Sequence, residues 1–133
     1  MYLFLAAALI EPAAPGPESC DGSQSELNVC AADFYKRADQ ELNVQWQKTV
    51  AVLRHNDKEL SKWPSYGGAS VDTLLKAQRA WLVYREQSCQ TISRISGGTI
   101  APMNYFVCMF DMTRTRTAEL KALTLNPNSD EPL

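Results

Sequence analysis

The chain has 133 residues, with 13 basic and 15 acidic side chains and a formal net charge of −2. This length suits one domain with its own hydrophobic core and is too short for two. The charges are balanced and like charges do not cluster, so we expect neither nucleic acid nor an anionic membrane as a partner.

The chain begins with an apolar, uncharged segment. Residues 1–10 are almost entirely Leu, Ala, Phe, Tyr and Ile, a run too short to cross a bilayer but typical of the core of a secretory signal. Small residues and prolines follow, so we predict a signal peptide over residues 1–14. Cleavage after Ala8, a mis-assigned start codon and a buried N-terminal segment are the alternatives. Because Gly-Pro-Glu-Ser precedes Cys20 and does not match a lipidation signal, we expect a soluble periplasmic or secreted protein that does not span the membrane.

Three segments with helical periodicity follow. Ser23 and Glu26 have the spacing of a capping box, which predicts that the first helix begins at Ser23. Neither Gly nor Pro occurs between Glu26 and Trp63, so this helix is expected to be long and to reach about Leu60. A loop rich in Pro and Gly over residues 62–69 then ends the helical pattern.

Caps and glycines bound the second and third helices. Ser70 is the predicted cap of the second helix, and the pair Gly97-Gly98 ends it. Thr99 is the predicted cap of the third helix, which has Pro102 in its first turn, where a missing N–H does no harm.

No segment has the alternating pattern of a β-strand, which predicts an all-α fold. We expect a three-helix up-down-up bundle over residues 20–125, with a long first helix, followed by a disordered tail over residues 126–133. In this topology the first helix begins, the second ends and the third begins at the same pole of the bundle, here called the near pole. The loop 62–69 lies at the opposite, far pole.

Four cysteines in a short exported chain predict two structural disulfides. Cys20, Cys30, Cys89 and Cys108 all fall close to the near pole, so the sequence leaves the three possible pairings open. We favour Cys30–Cys89 with Cys20–Cys108, because both bridges would join separate helices. The cysteines have neither the close spacing of a redox motif nor the pairs with histidine of a zinc site. We therefore predict no metal site and no cofactor.

Five polar side chains lie on or beside the apolar faces of the helices: Asp39, Asn43, Gln78, Arg85 and Arg116. Because buried charges need partners, we interpret them as a structural network in which Asp39 pairs with an arginine. Helical turns counted from the near pole place Asp39 level with Gln78 and Arg116, and less so with Arg85. The alternative is a ligand-binding or hydrolytic site using Asp39 and Arg116. Since the sequence contains no nucleophile motif, phosphate-binding loop or zinc-protease motif, we predict that the protein is not an enzyme.

Two loops are candidate contacts for a protein partner. Trp63 and Tyr66 lie in the far-pole loop, where they either anchor a partner or fold back over the end of the bundle. The second candidate is the tight turn Ser96, Gly97, Gly98 and Thr99 at the near pole.

The sequence resembles the lysozyme inhibitor LprI N-terminal-domain-like family, small secreted helical proteins of bacteria. The resemblance covers residues 20–123 and rests on the cysteines, an Ala-Asp-x-Glu-Leu-Asn block and an Ala-Gln-x-x-Trp-x-x-x-Arg block. The matching residues are Cys20, Leu27–Cys30, Ala38–Asn43, Leu75–Arg85, Cys89, Gly97–Ile100, Cys108, Thr113, Arg114, Arg116 and Leu120.

This resemblance implies a disulfide-bonded helical domain that is periplasmic or secreted and, by the family's name, binds and inhibits lysozyme. The first functional hypothesis is therefore a non-enzymatic protein-binding domain, with lysozyme as its partner. The alternative is a structural or interaction domain of the cell envelope that binds an unknown protein through Trp63 and Tyr66 and leaves lysozyme unaffected. The sequence does not indicate the oligomeric state.

Overall fold

A computed structural model describes residues 14–125, and its three long helices confirm the predicted all-α bundle. Helix α1 spans Gln24–Leu60, α2 spans Ser70–Ser96 and α3 spans Ala101–Ala122. Short 3-10 turns occupy Pro17–Ser19 and Gly98–Ile100, and no strand is present within the described range.

The two predicted terminal segments fall at the limits of this range. The signal peptide predicted over residues 1–14 lies outside the described residues except for Ala14, and the tail predicted over 126–133 lies outside them entirely. Among the helices of residues 14–125, none contains an apolar stretch of the length that a bilayer span requires.

Helix α1 begins where the sequence predicts because Ser23 and Glu26 cap each other. The Ser23 hydroxyl accepts a hydrogen bond from the Glu26 amide, and the Glu26 carboxylate accepts one at 2.7 Å from the Ser23 amide. Such a cap contributes about 1 kcal/mol to helix stability. With no Gly or Pro to interrupt it, α1 continues for 37 residues and ends at Leu60, as predicted.

The core is a line of apolar side chains shared by the three helices, with α3 packed mainly against α1. Leu42 of α1, Leu74 of α2 and Leu120 of α3 form its centre. The larger side chains of Trp46 and Trp81 cover this centre from the sides. Each fully buried side chain of this kind stabilises the fold by about 1.5–3 kcal/mol, so these contacts fix how the helices lie against one another.

The unequal helix lengths leave part of the bundle with only two helices. The buried Thr49 hydroxyl donates a hydrogen bond of 2.9 Å to the carbonyl of Leu120, near the end of α3. Helix α1 continues for roughly three more turns beyond Thr49. There α1 and α2 form a two-helix hairpin that carries the far-pole loop.

Two predicted helix caps are wrong. Ser70 is the first residue of α2 rather than its cap, and its hydroxyl donates a hydrogen bond of 2.7 Å to Asp57 of α1. Thr99 lies in the 3-10 turn before α3, and its carbonyl accepts a hydrogen bond from Asn28 of α1. At α2 the Asp57 carboxylate of α1 replaces the local cap, because it accepts from the Ser70 and Val71 amides. The Asn28 amide donates to a carbonyl and therefore caps no N–H of α3, which has no side-chain cap.

The favoured disulfide pairing, Cys30–Cys89 with Cys20–Cys108, is wrong. The structure has Cys20–Cys30 and Cys89–Cys108, with Cα–Cα distances of 6.0 and 5.5 Å. The chain turns back at Gly22, whose φ is 112°, and so brings Cys20 alongside the first turns of α1. Cys89 is fully buried and is bonded to Cys108 of α3.

Each bridge therefore has its own role in the fold. Cys20–Cys30 holds the N-terminal segment to α1, whereas Cys89–Cys108 joins α2 to α3 across the turn at the near pole. Closing loops of these lengths stabilises a fold by about 3 kcal/mol per bridge. The near pole is thus the covalently strengthened end of the molecule.

Tryptic digestion of the unreduced protein distinguishes the pairings, because no Lys or Arg precedes Lys36. Cys20–Cys30 then lies within one peptide that ends at Lys36, while Cys89–Cys108 joins peptide 86–94 to peptide 95–114. We expect mass spectrometry to detect this joined pair and a separate N-terminal peptide. An N-terminal peptide crosslinked to either of the other two would contradict the structure.

Candidate functional site

A buried arginine connects the three helices near the middle of the bundle. The Arg85 side chain is 9% exposed, and its Nη1 donates hydrogen bonds of 2.7 Å to Asp39 Oδ1 and 2.9 Å to Thr113 Oγ1. The Arg85 guanidinium also lies 4.9 Å from the ring centre of Trp81 and 5.5 Å from that of Tyr35. Helices α1, α2 and α3 each supply a polar member of this group, which is therefore a contact between helices.

Arg116 forms a second, adjacent group. Its Nε donates a hydrogen bond of 3.0 Å to Gln78 Oε1, and its Nη1 donates one of 2.9 Å to Glu119. The Arg116 guanidinium lies 5.8 Å from the centre of the Trp81 ring. The Trp81 ring is therefore in contact range of both the Arg85 group and the Arg116 group.

These contacts correct the predicted network in two respects. Asp39 pairs with Arg85 and not with Arg116, although counting turns had placed it level with Arg116. Asn43 is exposed, and its side chain makes no hydrogen bond to any residue between 14 and 125. The count of turns assumed helix ends that are level at the near pole. Asp39 lies 15 residues after the start of α1 but pairs with Arg85, which lies 11 residues before the end of α2, so α1 extends about one turn further at this pole.

A tyrosine near the start of α3 makes a further polar contact with α2 that the sequence analysis missed. The Tyr105 hydroxyl donates a hydrogen bond of 2.8 Å to Glu86. Burial, together with this bond to a carboxylate, raises the pKa of Tyr105 to about 12. Hydrogen bonds from Gln90 and Tyr105 lower the pKa of Glu86. The pair therefore stays as a neutral phenol and a carboxylate across the physiological range.

The predicted contact turn at the near pole is open to solvent and held firmly at its base. Gly97 and Gly98 have φ values of 60° and 64°, a region that favours glycine, and a Cβ on either would meet no atom within 4 Å. The Ser96 hydroxyl donates to the Ile92 carbonyl and accepts from the Asn104 amide. The backbone of the turn is thus accessible while its ends are fixed.

Apolar side chains flank this turn. Ile95 is 77% exposed, and Ile100 is also exposed. No charged residue occurs from Ile95 to Phe110. The turn therefore presents backbone groups and aliphatic surface without formal charge.

The far-pole loop is organised by Asp57 of α1. Its Oδ1 accepts hydrogen bonds from the Tyr66 hydroxyl, the Ser70 hydroxyl and the Ser70 amide, and its Oδ2 accepts one from the Val71 amide. These bonds, above all that from Tyr66, hold the pKa of Asp57 well below its usual value. Asp57 thus caps α2 from another helix, which explains why α2 needs no cap of its own.

The two aromatic residues of this loop have different surroundings. The half-buried Tyr66 folds back onto Asp57, whereas Trp63 is 66% exposed. Trp63 is therefore the residue of this pair that is available to a partner. Asp57 was missed from the sequence because nothing near it marks a residue that caps a helix starting at Ser70.

Residues 17–120 match the family model described as Lysozyme inhibitor LprI. The chain belongs to this family. It is also similar to an uncharacterized protein of Rhizobium meliloti (strain 1021), with 41% identity over 102 residues that cover 76% of this chain and 73% of the relative. No solved structure matches the chain.

The family match includes α1, α2 and most of α3, so the central arginine and both candidate contact loops lie within it. Between residues 14 and 125 no cluster of His, Cys, Asp or Glu is arranged to hold a metal ion. Asp39 and Arg116, the pair considered for a hydrolytic site, belong to separate hydrogen-bonded groups. The geometry therefore offers exposed loops for binding at the two poles.

Replacing Asp57 with Asn removes the negative charge and one of the two acceptor oxygens at the start of α2. We expect amide hydrogen exchange at Ser70 and Val71 to become roughly tenfold faster. Asp72→Asn is the matched control, because Asp72 lies in the same helical turn but no hydrogen bond joins its side chain to another described residue.

The pH dependence of this effect has a defined sign. The pKa of Asp57 is lowered in the folded state. The stability that its charge contributes to the fold is therefore fully present above the usual carboxyl pKa and is lost as the pH falls through the lowered pKa. The difference between the natural protein and Asp57→Asn should therefore shrink on acidification. A difference that grew with acid, or equal exchange in both proteins at neutral pH, would refute this role for Asp57.

Proposed function

We propose that this protein is an exported, non-enzymatic binding domain that inhibits lysozyme through the turn Ser96–Thr99. The proposal rests on the match of residues 17–120 to the lysozyme inhibitor family. The contact surface is our own assignment, and it is supported by the geometry of the near pole.

An inhibitor that blocks an enzyme cleft needs an element that projects from a rigid support. The Gly97-Gly98 backbone has open space around it, and the Cys89–Cys108 bridge ties together the two helices that carry the turn. A partner therefore meets a surface that is already ordered, which reduces the entropy lost on binding.

The chemistry of the turn also suits a lysozyme cleft. Glycosidases of this kind hold two carboxyl groups beside the bond that they cleave. A turn without charge brings no carboxylate against these groups, and Ile95 and Ile100 offer aliphatic surface for contact. With a net charge of only −2, long-range attraction to a basic lysozyme is weak, so contact at the turn must supply most of the affinity.

The disulfides support an exported location. Both bridges form in the structure, and such bridges persist in oxidising compartments outside the cytoplasm. Reduction would release the link between α2 and α3 directly beneath the turn, so inhibition should depend on the oxidised state.

The test is residual lysozyme activity at increasing concentrations of the purified, oxidised protein, with one animal-type and one bacterial-type enzyme. We expect saturable inhibition of at least one enzyme and its loss on reduction. Absence of inhibition of both enzymes at micromolar concentrations would remove the proposed activity.

A pair of variants tests the contact surface. Ile95→Glu places a carboxylate beside the turn, and Val83→Glu makes the same change at a similarly exposed position on α2, at 63% against 77% exposure. Because the added carboxylate at Ile95 would face the carboxyl groups of the cleft, we expect Ile95→Glu to weaken inhibition by roughly tenfold or more and Val83→Glu to leave it unchanged. Equal effects of the two changes would place the contact elsewhere.

Exposed Trp63 favours a second candidate function, an envelope interaction domain that binds its partner through the far-pole loop. A solvent-exposed tryptophan is among the best anchors for a protein contact. Under this alternative, Trp63→Ala abolishes retention of one specific envelope protein, while neither the natural protein nor the variant inhibits lysozyme. If Trp63→Ala instead weakened lysozyme inhibition and Ile95→Glu did not, the inhibitory surface would lie at the far pole.

A further inference from the structure

A long groove lies between α1 and α3, away from both loops discussed above. Two adjoining cavities of about 270 and 530 Å³ share Arg37 and Glu41 as lining residues. On α1 the groove extends from Phe34 to Lys48, roughly 21 Å along the helix axis. Its walls come from α1 and α3, with Ala14 and Pro15 at one end, and no lining residue comes from α2.

The groove is basic although the protein as a whole is slightly acidic. Arg37 and Lys48 of α1 and Arg114 and Lys121 of α3 line it, and Glu41 is its one lining carboxylate. Among residues 14–125, none of these four cations has a carboxylate within ion-pair distance. The excess positive charge is therefore available to an external anion.

The floor of the groove is apolar, and its aromatic rings are held in place by contacts with one another and with two arginines. Phe34 and Phe110 meet edge to face, with ring centres 5.9 Å apart. The Arg37 guanidinium lies 4.6 Å from the Phe34 ring centre, and that of Arg114 lies 5.6 Å from the Phe110 ring centre. Stacking of this kind holds each guanidinium at the edge of the floor while leaving N–H donors available. Exposed Val44 continues the apolar floor along α1.

We propose that this groove binds an acidic amphipathic helix of a partner protein. A groove between two packed helices accepts the side-chain ridge of a third, and apolar residues on one side of that helix would contact Phe34, Val44 and Phe110. Acidic residues on its flanks would face the four cations. Because α2 contributes nothing to the groove, the added helix completes a four-helix arrangement.

This inference goes beyond lysozyme inhibition and uses a different surface. A concave groove cannot enter the cleft of an enzyme, whereas the turn Ser96–Thr99 projects outward. Changes in the groove should therefore leave lysozyme inhibition as it is, and the two proposals can fail separately.

The experiment measures fluorescence anisotropy of a synthetic amphipathic peptide of roughly 18 residues, about 27 Å as a helix, with Leu on one face and Glu elsewhere. A peptide with Lys in place of Glu is the charge control. We expect saturable binding of the acidic peptide only, weakening as salt rises because the contacts are between exposed charges. No binding of the acidic peptide, or equal binding of both peptides, would overturn the proposal.

A matched pair of protein variants locates the binding. The double change Lys48→Glu and Lys121→Glu reverses two groove charges, while Lys36→Glu with Lys76→Glu makes the same change in net charge at exposed positions that do not line the groove. We expect the first variant to bind about tenfold more weakly and the second to bind as the natural protein does. Equal losses would show that only net charge matters. Circular dichroism confirms that both variants keep their helical content.

Two further experiments test whether the groove binds a different ligand. If inorganic polyphosphate binds as tightly as the peptide and responds equally to Lys48→Glu with Lys121→Glu, the groove is a general polyanion site and the helix assignment is wrong. The chain's own residues 126–133 include Asp130 and Glu131. If removing these residues is required before the peptide binds, the groove serves this tail and the partner helix is excluded.

Discussion

The arrangement of the three helices depends on the burial of one guanidinium group, that of Arg85. An ionised side chain with 9% exposure is costly unless an opposite charge and hydrogen-bond acceptors meet it. Within residues 14–125 the buried Arg85 Nε has no acceptor, so the partners of Nη1 provide most of this compensation. Asp39 supplies the opposite charge, Thr113 supplies an acceptor, and the rings of Trp81 and Tyr35 lie beside the guanidinium. Because these residues come from all three helices, a shift of any helix along its axis would leave the buried cation without a partner.

The two ends of the bundle are stabilised by different contacts. On the near-pole side, α3 packs along α1, and the Cys89–Cys108 bridge fixes α2 to α3. Beyond Thr49 and Leu120, α1 and α2 continue as a hairpin whose loop depends on the bonds to Asp57. The proposed inhibitory turn therefore lies on the more strongly braced part, whereas Trp63 lies on the part held by fewer contacts.

Most of the fold could be predicted from the sequence, because helix boundaries are local properties. The capping box at Ser23 and the glycine pair after Ser96 place the start of α1 and the end of α2 correctly. The residue that caps α2 could not be identified from the residues around Ser70, because Asp57 reaches the start of α2 from α1. Local patterns carry no information about partners so distant in sequence.

The site could be predicted less completely, and the disulfides show why. The sequence places four cysteines near one pole, but which sulfurs meet depends on the direction of each side chain after the chain turns at Gly22. The same limit applies to the polar network, where Asp39 and Arg85 were singled out but not paired with each other. The hydrogen bonds of Thr49 to Leu120 and of Thr113 to Arg85 were not predicted, because a threonine in an apolar stripe looks like an ordinary core position.

A double-mutant cycle on Asp39 and Arg85, with the free energy of unfolding measured by urea denaturation, shows how far the helix arrangement depends on this buried cation. Asp39→Ala leaves the buried guanidinium without its counter-charge and should cost about 2 kcal/mol, less than for a fully buried pair because the Asp39 side chain is 33% exposed. We expect that adding Arg85→Met to Asp39→Ala restores part of this loss, since the unpaired charge is then removed. Strictly additive losses, with the double variant the least stable of the three, would contradict the dependence of the fold on this buried cation.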